Sequence, residues 1–137
     1  MWLLDTNVVS ETRKARPHGG VMAWIDRQPA ESLNVSAVTL GELQAGVEIT
    51  RRTDPAKAAE IEAWMEMVEA ARPAVPADAA VFRHWARLMS GKSNDLMMDG
   101  LIAATAQVHG LTVVSRNVGD FAALGVEAVD PFKTPER

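Results

Sequence analysis

Short apolar runs that stop on polar residues, each followed by a stretch with helical spacing, constrain this chain more than any other feature. Leu3-Leu4 opens a strand that stops at Asp5-Thr6-Asn7. A helical segment follows, broken by Pro17, Gly19 and Gly20, with Val21, Trp24 and Ile25 at helical spacing beyond the break. Residues 33–38 read as a second buried strand, and Thr39-Leu40-Gly41-Glu42 as the start of a helix carrying Leu43 and Val47 on its apolar face. Asp54-Pro55 is a helix start, with Ile61, Trp64, Met65 and Val68 in period after it. A break at residues 72–76 holds a short strand around Ala74-Val75. Another helix then carries Val81, His84, Trp85, Leu88 and Met89. An almost wholly apolar helix runs from Ser93-Asn94 to His109, closed by Gly110. Residues 111–115 form a strand, 118–124 a short helix or turn, and 126–129 a last strand. Strands separated by helices need crossover connections, which predicts an α/β fold. The expected form is a three-layer α/β/α domain around a central parallel sheet, formed by residues 1–137 as one unit.

What the chain lacks narrows its chemistry. It has no cysteine, so disulfides, zinc knuckles and thiol nucleophiles are out, which suits the cytoplasm. No apolar run is long enough for a bilayer, and the opening Met1-Trp2-Leu3-Leu4-Asp5 has no basic stretch of a signal peptide. A net charge of −4 argues against coating nucleic acid by bulk electrostatics, though acids gathered at a metal site make that figure misleading. Positive charge clusters at Arg13, Lys14 and Arg16 and again at Arg51 and Arg52. These clusters fit a solvated face or phosphate contacts equally well.

Ligands in open α/β sheets bind at the carboxyl ends of the strands. Asp5 follows the first strand, Glu42 the second, and Asn117 and Asp120 the strand ending at Ser115; Asp99 lies in the apolar helix. Each of three acids has an ordinary alternative: Asp5 as a turn former, Glu42 in a capping box with Thr39, Asp120 in the same relation to Asn117. Asp99 is harder to explain away, because Met97, Met98, Leu101, Ile102, Ala103 and Ala104 imply a buried helix. A buried carboxylate costs several kcal/mol unless compensated. No Lys or Arg occurs before Arg13, from Gln28 to Thr50, or from Ser93 to Ser115, and Asp5, Glu42 and Asp99 fall in those three stretches. A divalent ion would satisfy all three. An all-oxygen donor set selects a hard ion such as Mg²⁺ or Mn²⁺. His18, His84 and His109 form no zinc pattern, and Trp24, Trp64 and Trp85 fall on helical apolar faces as core residues.

Four segments in order resemble the PIN-domain ribonucleases. They are Leu3-Leu4-Asp5-Thr6-Asn7, Ser36-Ala37-Val38-Thr39-Leu40-Gly41-Glu42-Leu43, Asp99-Gly100-Leu101-Ile102-Ala103-Ala104-Thr105-Ala106, and Ser115-Arg116-Asn117 with Asp120-Phe121. Their order and spacing resemble the toxin branch, VapC-like and FitB-like, of prokaryotic toxin–antitoxin pairs. The resemblance implies Mg²⁺-dependent cleavage of RNA phosphodiesters, a homodimer, and inhibition by a small cognate antitoxin that carries the DNA-binding domain, so promoter DNA is met only through the antitoxin. It makes Asp5, Glu42 and Asp99 the core acids, with Thr6 and Asn7 orienting Asp5 or a metal-bound water. Members place a fourth acid at the position of Asn117 or of Asp120. With an amide at the first, the weight falls on Asp120. Ser115 and Asn117 support the site, and Arg13, Lys14 and Arg116 are the candidates for RNA contact.

The expected chemistry is metal-assisted hydrolysis at one rim of the sheet. Two other readings stay open on the sequence. Asp5 could be the nucleophile of a Mg²⁺-dependent phosphohydrolase, although such sites commonly carry a second Asp where Asn7 stands. The fold could also serve as a binding module acting only through a partner.

Overall fold

The computed structural model describes residues 1–136. Its strands are β1 (Trp2–Leu4), β2 (Leu33–Val35), β3 (Thr112–Val114) and β4 (Ala128–Val129). Its helices are α1 (Thr6–Glu11), α2 (Gly19–Asp26), α3 (Ala37–Arg51), α4 (Pro55–Ala71), α5 (Ala79–Met89), α6 (Met97–Val108) and α7 (Val118–Ala123). The strands pair in the order β2-β1-β3-β4, every pair parallel. Leu3 lies beside Asn34 on one flank and Val113 on the other.

Alternation along β1 and β3 builds the three layers. Successive strand residues point to opposite faces. Leu3 and Val113 enter a core with Val38 of α3, Ile102, Ala103 and Ala106 of α6, and Phe121 of α7. Leu4 and Val114 face the other way, into a core with Val8 and Val9 of α1 and Val21 and Trp24 of α2. Away from the sheet, Val47, Ala58 and Met65 join α3 to α4 as a helical hairpin.

Three strands are shorter than the sequence suggests, β3 by one residue at each end of residues 111–115. The run predicted as a strand over residues 33–38 stops at Val35, because the Ser36 hydroxyl accepts the Thr39 amide at 3.0 Å and caps α3. Ala37 and Val38 are apolar because they line the helix's buried side. A short apolar run does not by itself distinguish strand from buried helix. The last strand likewise keeps only Ala128 and Val129 of residues 126–129. Val126 instead donates to the Phe121 carbonyl and Gly125, at φ 74°, donates to Ala122, closing α7 in a Schellman turn. Gly110, at φ 69°, ends α6 the same way, with Leu111 donating to Ala106. The strand expected around Ala74-Val75 is a single bridge between Val75 and Ser36. Gly19 and Gly20 open α2 rather than break a helix, with the His18 ring accepting the amides of Gly20 and Val21. Among the described residues, no helix is long and apolar enough to cross a membrane.

Candidate active site

The carboxyl ends of β1 and β3 meet at Asp5. Its amide donates to the Val114 carbonyl at 2.9 Å, which fixes the residue across the two strands. Its side chain turns back on α1 as the N-cap, Oδ1 accepting the Thr6 amide at 2.8 Å. Oδ2 accepts the Ser115 hydroxyl at 2.6 Å and the Asn7 amide group at 3.4 Å. Ser115, fully buried beyond β3, also accepts the Asn117 amide at 2.9 Å, and Asn7 Oδ1 accepts the Arg116 amide at 3.3 Å. Asp5 is 4% exposed. Burial raises its pKa, and the bonds from Ser115 and Thr6 draw it only part of the way back.

Capping of α3 by Ser36 determines where Glu42 stands. With the helix starting at Ala37, Glu42 falls in the second turn, and its Oε1 accepts the Thr6 hydroxyl at 2.7 Å. The Thr6 and Thr39 hydroxyls lie 3.0 Å apart. Asp99 comes from the first turn of α6, and Asp120 from the first turn of α7. The Asp99 carboxyl is pushed up to about 6, first by burial, then by the negative charges of Asp5, Asp120 and Glu42, and by a hydrogen bond with Asp120. The other three acids therefore all act on Asp99 at one rim.

Among the described residues no basic side chain makes an ion pair with these acids. The ion pairs among the described residues engage Glu11, Glu48, Glu62 and Asp78. Lys14 is held by Glu11. Arg13 shares a groove of about 280 Å³ with Thr6, Ser10 and Glu42. The Arg116 guanidinium lies 3.7 Å from the centre of the Phe132 ring. A patch of oxygen donors with uncompensated charge suits a hard divalent cation. Among the described residues no three of the acids close on one point. Such closure is not required for Mg²⁺, which commonly takes one or two carboxylates and keeps several waters.

Residues 2–126 match the family model of the PIN domain. The chain belongs to the PIN-domain family. This PIN domain is 38% identical over 141 residues to the VapC ribonuclease Y4jK of Sinorhizobium fredii, covering 97% of this chain and 99% of the relative. It is 35% identical over 138 residues to toxin FitB of Neisseria gonorrhoeae, covering 96% and 99%. Among solved structures it resembles FitAB bound to a DNA fragment, at TM-score 0.83 and 32% identity over 98% of both chains. The crystal structure of FitAcB from Neisseria gonorrhoeae aligns at TM-score 0.79 and 35% identity, covering 97% and 99%.

Several local expectations change. Glu42 is not in a capping box with Thr39, since Ser36 is the cap and Glu42 is engaged by Thr6. Asn117 occupies the N-cap position of α7 without making a side-chain cap bond, so Asp120 is not half of a capping box either. The α6 helix is not buried all round: Met97 and Met98 are 40% and 42% exposed at its start, and Asp99 is half-buried beside them. The fully buried stretch begins at Ile102. Trp24 is core, whereas Trp64 and Trp85 are only partly covered, Trp85 donating to the Met97 carbonyl at 3.0 Å. Sequence reasoning misses two participants. Thr39 reads as a cap and proves to be a neighbour of Thr6, and Phe132, under Arg116, belongs to no motif.

Proposed function

We propose that this PIN domain is an endoribonuclease that hydrolyses RNA phosphodiesters with Mg²⁺ or Mn²⁺, and that it is the toxin of a toxin–antitoxin pair. The convergence of Asp5, Glu42, Asp99 and Asp120 at one rim, with no cation among the described residues paired to them, carries the reading. Asp99, Asp120 and Glu42, with Asp5 behind them, are the residues that would hold the ion. A bound ion supplies Lewis-acid stabilisation of charge on the phosphate and a source of hydroxide near neutral pH. The protein's own part is positioning. Ser115, Asn7 and the Thr6 amide fix Asp5 in one rotamer, and the Thr6 hydroxyl fixes Glu42. Arg13 and Arg116, at the edges of the rim, contact the RNA backbone, with Lys14 joining when it leaves Glu11.

The same geometry disfavours Asp5 as a nucleophile, because both of its oxygens accept hydrogen bonds and the residue is 4% exposed. The likeness to toxin FitB and to FitAB structures supports a cognate antitoxin as partner; a homodimer, promoter DNA reached only through the antitoxin, and action in the cytoplasm belong to the same proposal.

The deciding experiment is cleavage of cellular RNA by the purified chain, followed by mapping of 5′ ends. Cleavage disappears in EDTA and returns with Mg²⁺ or Mn²⁺. Full cleavage after exhaustive chelation overturns the metal mechanism, and inertness toward all RNA with the metal present overturns the enzyme reading. Growth arrest on expression, relieved by the small neighbouring reading frame, tests the toxin assignment.

A further inference from the structure

Just beyond the carboxyl ends of β3 and β4, side chains from two separate segments stack on each other. Val114 pairs with Val129, so Arg116, two residues past the first, stands near Phe132, three past the second. The Arg116 guanidinium carbon lies 3.7 Å from the centre of the Phe132 ring, which is contact over the face rather than at the edge. Arg116 is exposed, and among the described residues its guanidinium makes neither an ion pair nor a hydrogen bond. That is unusual where it stands. Asp120 is four residues on, and the rim holds three more carboxylates that attract a long, mobile cation.

The platform under Arg116 is fixed from several sides. The Phe132 amide donates to Asp130 Oδ1 at 2.9 Å, and Pro131 between them is fully buried. The Phe132 ring packs against the core that holds Val8, Val21 and Trp24, and the His18 ring meets it edge-on at 5.0 Å. The Thr134 and Phe132 carbonyls lie so near α2 that a Cβ on Gly20 would stand 2.6 and 3.2 Å from them, and Arg27 donates to the Pro135 carbonyl at 3.3 Å. The Arg116 main chain is held as well: its amide donates to Oδ1 of Asn7, whose amide group donates to Asp5. Phe132 is thereby linked through Arg116 and Asn7 to the most buried acid of the site.

We propose that Phe132 is a positioning residue for RNA: it holds the Arg116 guanidinium beside the acids and off them, where its donors meet a phosphate of the bound strand. This rests on the ribonuclease reading above and adds to it a residue outside every motif of the sequence. A phenylalanine ring has no acceptor oxygen, so it holds the cation by its π face and leaves the five N–H donors for an anion. A carboxylate in the same place would take two of those donors and lose its own charge to the pair. Covering an apolar ring explains the contact but not the residue, since an aliphatic side chain covers a ring equally well. Stacking also removes rotamer freedom from Arg116 before RNA arrives, so less is lost on binding.

The test is fluorescence anisotropy with a labelled, mixed-sequence single-stranded RNA too short to fold, in EDTA across a salt series, alongside cleavage of the same RNA in Mg²⁺. Arg116→Ala lowers the slope of log affinity against log salt by about 0.7, one phosphate contact, and weakens binding at 0.1 M salt about fivefold. Phe132→Leu keeps the charge but removes the π face; it weakens binding roughly two- to fivefold without changing the slope. KM rises in step in both variants and kcat stays within about twofold, as for a contact made equally in ground and transition states. Phe132→Tyr, which keeps the face, binds as the unaltered chain does. In the Arg116→Ala background, Phe132→Leu adds nothing further. An equal loss with and without Arg116 means the ring acts through the fold and overturns the positioning role, as does a Phe132→Leu variant that binds RNA unaltered. If Phe132→Leu does not fold, Arg116→Ala decides alone: an unchanged slope and affinity overturn the proposal, while metal-dependent cleavage leaves the ribonuclease reading intact. If the unaltered chain neither binds nor cleaves RNA, the ribonuclease reading itself fails and the positioning role with it.

Discussion

Replacing Asp99 by asparagine should inactivate the enzyme and stabilise the metal-free fold at the same time. The carboxyl ionises near 3.8 in an unfolded chain and at about 6 in the folded one, raised by burial and by Asp5, Asp120 and Glu42. Between those values the folded state binds more protons than the unfolded state, so stability falls as pH rises through the window and stays reduced above it. The full shift corresponds to about 3 kcal/mol. Asp99 is half-buried and partly screened by solvent, and asparagine keeps one polar group in its place, so roughly 1–2 kcal/mol is the realistic gain. For a domain of this size that is about 3–8 °C in melting temperature. Thermal melts in EDTA from pH 4 to pH 8 should show the two proteins coinciding at the acid end and Asp99→Asn melting higher above pH 6. Excess Mg²⁺ should then raise the unaltered protein far more than the variant, since an ion that binds only the folded state stabilises it by mass action. A variant that melts lower at pH 8 in EDTA, or a gap of constant size across the series, would refute the account of Asp99 as an uncompensated acid.

Ser115→Ala removes the buried donor to Asp5 Oδ2 and should cost about 1.5–3 kcal/mol, as for other hydrogen bonds to charged groups; the acid limb of the pH–rate profile should move up, because Asp5 loses what holds its pKa down. Asn117→Ala should change stability by less than about 0.5 kcal/mol in chemical denaturation, since no side-chain cap bond is lost, whereas Asp120→Asn should raise the Mg²⁺ concentration needed for half-maximal cleavage. Gly20→Ala should destabilise by about 1–3 kcal/mol, enough to outweigh alanine's better helix propensity. The added Cβ would stand 2.6 Å from the Thr134 carbonyl, which belongs to backbone and cannot swing away; an unchanged denaturation midpoint would mean the C-terminal segment shifts freely.

How far the fold is legible in the sequence depends on how much each signal is local. Asp54-Pro55, Gly110 and the apolar period of α4 and α5 are local, and the structure places those elements where the pattern does. The end of β2 is not. Its apolar run continues unbroken through Ala37 and Val38, and only the Ser36 cap, made once the chain is turning, decides that those two residues are helical. The exposure of Met97 and Met98 escapes composition for a related reason. An apolar helix is expected to be covered, but at the first turn of α6 the cover is partial: Trp85 of α5 reaches the Met97 carbonyl while the Met97 and Met98 side chains stay exposed.

The site raises a different difficulty, which follows from strands only three residues long. A strand that ends after three residues and turns at once into a helix needs a polar side chain at the junction, because the helix's first amides have no partner within it. Asp5 fills that place before α1 and Ser36 before α3, while Ser115, beyond β3, takes the Asn117 amide as the chain turns toward α7. The carboxyl ends of the parallel strands therefore collect capping residues whatever the protein does. Asp5 is both cap and candidate ligand, and Ser115 serves the next turn and holds Asp5 with the same oxygen. Taken singly, such residues have sufficient structural reasons to be where they are. Asp99 and Glu42 do not, since neither caps a helix and each adds negative charge to a rim that already holds Asp5. The excess over what capping requires is what separates a site from a set of strand ends, and it becomes measurable only when the fold brings the four acids within reach of one another.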